Sequence, residues 1–469
     1  PTFATAGGPI GVPAVLVRDG GYRAVDLTTG ALGPTLGQWP RQDAARFFGR
    51  PDGGWWCVCY PGERALRATT ATVAVVAYDA AGAVVSTTTV GTYGPGLDDP
   101  DLLGFLPFTV SVGPAAEPGR AFVGWAVRTA DGWTSGVDLL DLASGRIVTT
   151  LRLPDLPLAL DSPDGLRPTW VDAPRVTAAP GGASIVASQT PSIILERDGF
   201  GDLERLAPDR WYAAIEADRF SPASAFRTGQ GTLDPTWCPN PYGEAFADAT
   251  IFVALCPSEG IVRRVDVRGS PVGDVAIPGL RQDSFAPHAD FDGRRYVWLP
   301  FERTLHAVDL VAGTLVGSLD VGTTAAALHQ DPLSGLARRL ADWLAPPATA
   351  KIFLDPAIAI SPDGRRLYLA TVTGDGIESP GGSAGIVVVD TATLTVVDRW
   401  EPLADITSIA VGRDGFVYAT GAPGVDAAGH ASPDRQASLV VHEAADGSVR
   451  VIAGQLGPDY LTLDPLTMP

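Results

Sequence analysis

Lysine, asparagine and methionine are almost absent from this chain: Lys351, Asn240 and Met468 are the only residues of their types. Arginine therefore carries nearly all the positive charge, and 34 Lys+Arg against 53 Asp+Glu leave a net charge of −19. A nucleic-acid surface needs Lys and Arg concentrated on one face. The sequence holds no such cluster, so nucleic acid is excluded as a partner. Long hydrophobic runs are missing too, since the longest apolar stretches, such as Thr72–Tyr78, have strand length. A bilayer-spanning helix needs roughly 18 apolar residues in a row, and no transmembrane segment is expected. The chain begins at Pro1, which fits a removed leader and an extracytoplasmic protein, secreted or surface-attached.

What is present is an apolar, turn-rich composition of 45% hydrophobic residues with 54 Gly and 41 Pro, suited to many short strands joined by tight turns. The clearest unit spans Asp355–Trp400, where Ala357–Ser361, Leu367–Val372, Ile386–Asp390 and Leu394–Trp400 each alternate or run apolar over strand length. Pro362-Asp363-Gly364 separates its first two strands, and Asp390-Thr391-Ala392-Thr393 precedes its last. The latter turn recurs as Asp26–Gly30, Asp141–Gly145 and Asp309–Gly313. Asp bonds its own backbone and Gly supplies positive φ, which closes a hairpin locally. An Asp also precedes each expected inner strand, at Asp43, Asp172, Asp234, Asp283, Asp355, Asp405 and Asp459, with Asp101 a poorer match. These markers predict an all-β fold: one β-propeller domain over residues 1–469 with eight four-stranded blades, or seven if Asp101 is discounted. The N-terminal unit lacks an inner strand and Tyr460–Leu463 has that character with nothing after it. Pairing of the two ends is expected to close the ring and remove its free edges.

Ser361-Pro362-Asp363-Gly364-Arg365-Arg366-Leu367-Tyr368, followed by Val387-Val388-Val389-Asp390-Thr391-Ala392-Thr393, resembles the YVTN-type propeller repeat. That superfamily includes the heavy subunits of quinone-dependent amine dehydrogenases. The resemblance covers about 100 residues and implies a fold more than an activity, because propellers host enzymes, binding modules and scaffolds alike.

Two segments exceed regular blades. Within the insertion 323–351, Leu333, Leu336, Leu340, Trp343 and Leu344 share one helical side, predicting an amphipathic helix near 333–344 that ends before Pro346-Pro347. Gln189–Trp211 is longer than a hairpin, and its Asp198–Glu204 stretch, which lacks the full calcium-loop pattern, is expected to be an acidic surface loop. Gly381-Gly382-Ser383-Ala384-Gly385 satisfies the hydrolase nucleophile-elbow pattern, but that motif requires a strand-to-helix turn. A flexible hairpin loop is expected there instead. Ser162–Trp170 matches one sialidase box imperfectly and has no second copy, and a single asparagine does not supply the calcium ligands of lactonase-type propellers.

The five histidines show no metalloprotease spacing, and no Cys-x-x-Cys-His occurs, so c-type haem attachment is not indicated. His288 closes the predicted strand Phe285–His288 and is a candidate channel residue. Cys238 and Cys256 fall on predicted neighbouring strands of one blade, within disulfide range. Cys57 and Cys59 lie two apart on one strand and are expected to be buried thiols. The sharpest functional expectation concerns the mouth of the ring, where Asp43, Asp172, Asp283, Asp355 and Asp405 converge, with Arg46 and Arg175 neutralising part of their charge. Ca²⁺, bound by Asp283 and Asp355, or a cationic ligand would answer the rest. The favoured reading is a non-catalytic propeller that binds a ligand or protein partner at one face. The alternatives are an extracytoplasmic enzyme or redox subunit of amine-dehydrogenase type, and a propeller hydrolase or lyase.

Overall fold

The computed structural model describes residues 13–18, 21–26, 32–36, 43–61, 71–93, 108–115, 117–129, 132–153, 170–179, 184–189, 191–197, 202–206, 211–216, 221–227, 242–248, 250–256, 260–266, 270–278, 290–291, 296–301, 304–321, 351–361, 363–374, 380–400, 406–411, 417–421, 438–443, 448–454 and 461–463. They form strands and their turns, in eight four-stranded antiparallel sheets and one of three strands.

The first sheet brings together the first and last described strands: β1 (Pro13–Arg18), β2 (Gly21–Asp26) and β3 (Leu32–Thr35), with β35 (Leu461–Leu463) beside β1 through Leu16↔Leu463, Val17↔Thr462 and Arg18↔Leu461. The second sheet is β4 (Asp43–Gly49), β5 (Trp55–Pro61), β6 (Ala71–Tyr78) and β7 (Val84–Tyr93). The third is β8 (Phe108–Pro114), β9 (Arg120–Thr129), β10 (Gly132–Asp141) and β11 (Arg146–Arg152). After β12 (Trp170–Val171), the fourth sheet begins with β13 (Arg175–Ala178) and β14 (Ser184–Gln189). The hairpin β15 (Pro191–Arg197) and β16 (Asp202–Leu206) then intervenes before β17 (Trp211–Glu216) and β18 (Ser221–Arg227) complete it. The fifth sheet is β19 (Tyr242–Phe246), β20 (Ile251–Cys256), β21 (Ile261–Asp266) and β22 (Pro271–Ala276). The sixth is β23 (Asp290–Phe291), β24 (Tyr296–Phe301), β25 (Thr304–Asp309) and β26 (Thr314–Asp320). The seventh is β27 (Lys351–Ile360), β28 (Arg366–Gly374), β29 (Pro380–Asp390) and β30 (Thr395–Trp400), and the eighth β31 (Ile406–Val411), β32 (Val417–Gly421), β33 (Ser438–Glu443) and β34 (Ser448–Gly454).

First strands of successive sheets lie against one another: β4 on β8, β8 on β13, β13 on β19, β23 on β27, β27 on β31 and β31 on β35. This gathers the first strands toward a common axis and gives a propeller arrangement. The middle strands are apolar on both faces because each sheet is sandwiched between two others. On β28, Leu367 and Leu369 pack toward the sixth sheet with Leu305 and Ala307, while Tyr368 and Ala370 pack toward the eighth with Ile409 and Val417. The same split places Ile185 and Ala187 of β14 with Phe122 and Val137 of the third sheet, and Val186 with Phe246 and Phe252 of the fifth. Fourth strands are wet on one side, and Val84, Val148, Val316 and Val397 are exposed there.

The turns before the fourth strands rest on one carboxylate. Asp309 Oδ1 accepts hydrogen bonds from the Val311 and Ala312 amides, and Gly313 at φ 69° donates back to the Asp309 carbonyl. Asp141 and Gly145 repeat the arrangement, and in the seventh sheet Leu394 takes the glycine's place with φ 51°, the one non-glycine with positive φ among the described residues. Hydrogen bonds from the Ser144 hydroxyl and amide hold the Asp141 carboxyl below its usual value, and bonds from Thr393 chiefly do so for Asp390. Burial lowers the pKa of His306, whose Nδ1 lies 2.8 Å from Ser318 Oγ. Its neutral form is the folded form, so this contribution is complete above the unfolded value of about 6.5 and is lost as pH falls below it. Melting from pH 7.5 to 5.5 should show declining stability, by at most about 1.4 kcal/mol per pH unit for one proton, and His306→Gln should flatten that slope.

Several expected boundaries need correction. Asp355 lies within β27 rather than before it, because the strand runs through a register break between Leu354 and Ile358 that accommodates Pro356, which has no amide to donate. Gly381–Gly385 is not a loop but part of β29, bent by bulges opposite Thr371 and Val372, with Gly385 at φ 106° and its carbonyl held by Thr371 Oγ1. The described parts of the first strands of the fifth and sixth sheets are Tyr242–Phe246 and Asp290–Phe291, and the expected strand positions of Cys238 and His288 lie outside the described residues. The predicted helix at 333–344 lies outside the described residues.

Candidate functional site

The two ends of the sheets differ in their connections. At one, the turn end, the first strand joins the second and the third joins the fourth, and every such connection has four or five residues. At the other, the loop end, the links vary from the two residues 130–131 to the thirty of 321–350, with 94–107, 228–241, 277–289 and 422–437 between these extremes. The β15–β16 hairpin also belongs to the loop end, where it joins β14 to β17 and pairs with β12 through Trp170↔Ser192 and Val171↔Pro191. This resolves the irregular stretch after Gln189 as an accessory three-stranded sheet.

Between the third and fourth sheets the described side chains give the loop end a defined polar lining. Gln189, buried on the last position of β14, donates to the Asp172 carbonyl at 3.0 Å and accepts from the buried Ser135 hydroxyl at 3.0 Å. Thr109 and Ser111 of β8, which period-two alternation puts on one face, donate to the Val171 and Pro174 carbonyls at 2.8 and 2.5 Å. Three side chains, with Ser135 holding Gln189 in place, thus fix the backbone of residues 171–174 as it enters β13. Trp133 is 5% exposed beside Ala126 and Val171, and its Nε1 has no hydrogen-bond partner among the described residues. Sequence reasoning missed Ser135, Gln189 and Thr109. Their signal was polarity inside strands that are otherwise apolar.

Of the predicted acidic set, Asp172 sits in this pinned segment, half-buried, with Arg175 exposed at the start of β13. Asp43 is the first residue of β4, opposite Pro61, and Arg46 is exposed three positions on. Asp355 is in the bulge of β27. Asp283, Asp405 and His288 lie outside the described residues, as do Asp101, Asp234 and Asp459. Among the described residues no group of three His, Cys, Asp or Glu is placed to hold a metal ion, and no helix is long and apolar enough to cross a membrane. Cys57 and Cys59 are free, buried thiols. Cys256, the last residue of β20, is disulfide-bonded, and Cys238 lies outside the described residues.

No family model and no curated protein matches the chain. Among solved structures it is similar to the Dos1 propeller, at 10% identity over 77% of this chain and 74% of that one, with a TM-score of 0.45. It is also similar to Kuenenia stuttgartiensis hydrazine synthase, at 12% identity over 74% and 80% with a TM-score of 0.35. A third likeness is to dihydro-heme d1 dehydrogenase NirN in complex with DHE, at 14% identity over 85% and 75% with a TM-score of 0.33. At these values nothing about activity or partners passes to this chain.

Proposed function

We propose that the eight four-stranded sheets are blades of one ring, sealed where β35 joins β1, and that the protein binds a small ligand or a protein partner at the loop end without catalysis. The segregation of connection lengths carries this reading. Crossing from the fourth strand of one sheet to the first of the next takes seven residues at 36–42 and five at 401–405, and joining adjacent strands takes four or five at the turn end. The links 94–107, 228–241, 277–289 and 321–350 exceed the first need and 422–437 the second, and surplus loop on a rigid scaffold is where binding residues concentrate. The pinned backbone at 171–174 supports the same end, since it presents Asp172 from a fixed position.

Within this reading Asp43, Asp172, Asp283, Asp355 and Asp405 give the loop end its negative potential, Arg46, Arg175 and His288 flank it, and Ca²⁺ or a cationic ligand is held by Asp283 and Asp355. Gathered carboxylates repel one another unless a cation intervenes. Calorimetry with Ca²⁺ and with a small amine should give heat with the wild type and none with Asp283→Asn, Asp355→Asn. Equal binding by the two proteins would remove this assignment. A visible chromophore or a stoichiometric redox metal in the purified protein would favour the redox-subunit alternative.

An extracytoplasmic location belongs to the same proposal, with Cys238 bridged to Cys256. Cys57 and Cys59 are free and Cys256 is bonded, which leaves Cys238 as the partner. Denatured, non-reduced protein should titrate two thiols; four would remove both the bridge and the argument for export.

A further inference from the structure

We propose that Cys57 and Cys59 are a redox-active dithiol that closes reversibly to an intrastrand disulfide when peroxide oxidises it. Their side chains project from the same face of β5, opposite Phe47 and Ala45 on one side and Val76 and Ala74 on the other. The two Sγ atoms are 2.7 Å apart, about 0.7 Å beyond the S–S bond length of about 2.0 Å. The surrounding cluster of Ala24, Leu36, Phe47, Trp55 and Tyr78 is apolar but for the Tyr78 hydroxyl, and among the described residues no group of three metal ligands forms there. Two sulfurs held together in an apolar site have one reaction open to both, which is with each other.

Cys59 retains 4% exposure and Cys57 none, and burial together with the hydrogen bond shared with Cys59 raises the Cys57 thiol well above its usual pKa. Peroxide therefore meets Cys59 first. The Cys59 thiolate attacks one peroxide oxygen and the O–O bond breaks, giving a sulfenic acid and hydroxide, which takes up a proton to become water. The Cys57 sulfur then attacks the Cys59 sulfur, the S–O bond breaks, and a second water leaves with the Cys57 proton. Two thiols and one H₂O₂ become one disulfide and two waters, the sulfurs supplying both electrons.

Residues two apart in a strand have Cα atoms about 6.6 Å apart, near the upper limit of about 6.8 Å for a disulfide. The bridge therefore requires β5 to pucker at Val58, and a strained bridge of this kind is readily reduced. The puckered face is the one that packs on Ala24 of β2 and on Leu36, which follows β3, in the sheet that joins β1 to β35. Oxidation should loosen that contact.

The full chain, treated with H₂O₂ and then alkylated under denaturing conditions, should lose both thiols together, with a mass lower by two hydrogens in the peptide carrying them. Dithiothreitol should restore both, and the oxidised protein should melt below the reduced one. In Cys57→Ser the partner is missing, so Cys59 should be trapped by dimedone as the sulfenic acid. Survival of both thiols, independent uptake of oxygen by each sulfur, or no dimedone adduct in the variant would overturn the proposal.

Discussion

A chain ending at Gly457 is expected to melt about 5–10 °C below the full protein. The truncation removes β35, which pairs with β1 in the first sheet and lies against β31 and β32 of the eighth. β35 is Leu461-Thr462-Leu463, and the expected size of the effect takes both leucines at core cost, about 2–5 kcal/mol each. Unfolding entropy of roughly 2 cal/mol/K per residue amounts to about 1 kcal/mol/K for a chain of this length, which converts a loss of about 5–10 kcal/mol into a similar number of degrees. The free edge left on β1 should also make the truncated chain prone to self-association. A truncated protein that melts within about two degrees of the full chain would place the seal elsewhere.

The second large effect is expected from a single methyl group. Gly124 on β9 is buried, and a Cβ there would meet the Pro174 carbonyl oxygen at 1.8 Å and Ser111 Oγ at 2.6 Å. Pro174 belongs to the segment that Ser111 and Gln189 fix, so the backbone is not free to retreat. Gly124→Ala should therefore destabilise by about 3 kcal/mol or more, the upper range for overpacking, and should disturb the loop end next to Asp172. Gly91→Ala is the matched control. Its Cβ would come no closer than 4.0 Å to Ile147 Cδ1, and its effect should stay within about 1 kcal/mol. Urea midpoints of the two variants measure the difference, and equal midpoints would contradict the close approach of the third and fourth sheets.

The repeat was legible wherever strand pattern and turn chemistry agreed. Leu367–Ala370 and Ile386–Val389 are continuous apolar runs, and both of their faces are buried between sheets. Asp141, Asp309 and Asp390 close their turns through the side chain and backbone contacts that the Asp and Gly spacing implied. Strand limits were less legible where a bulge carries the strand past a residue that normally ends one. Pro356 and Gly381–Gly385 are such cases, because partners across the sheet decide whether the strand continues. The candidate site was legible only in outline. Asp172 stood out by its place before an inner strand, but nothing local predicts that Gln189, reaching from the next strand, would hold its carbonyl, or that Gly124 is needed to let Pro174 approach.

The claim on which the functional reading rests is that one ring presents all its long links at a single end. A crystal structure of the full chain tests it most directly. The account predicts eight four-stranded blades around one channel, β35 beside β1, and the segments 94–107, 228–241, 277–289, 321–350 and 422–437 on the same face as Asp172. A ring of fewer blades, or long links divided between the two faces, would contradict it.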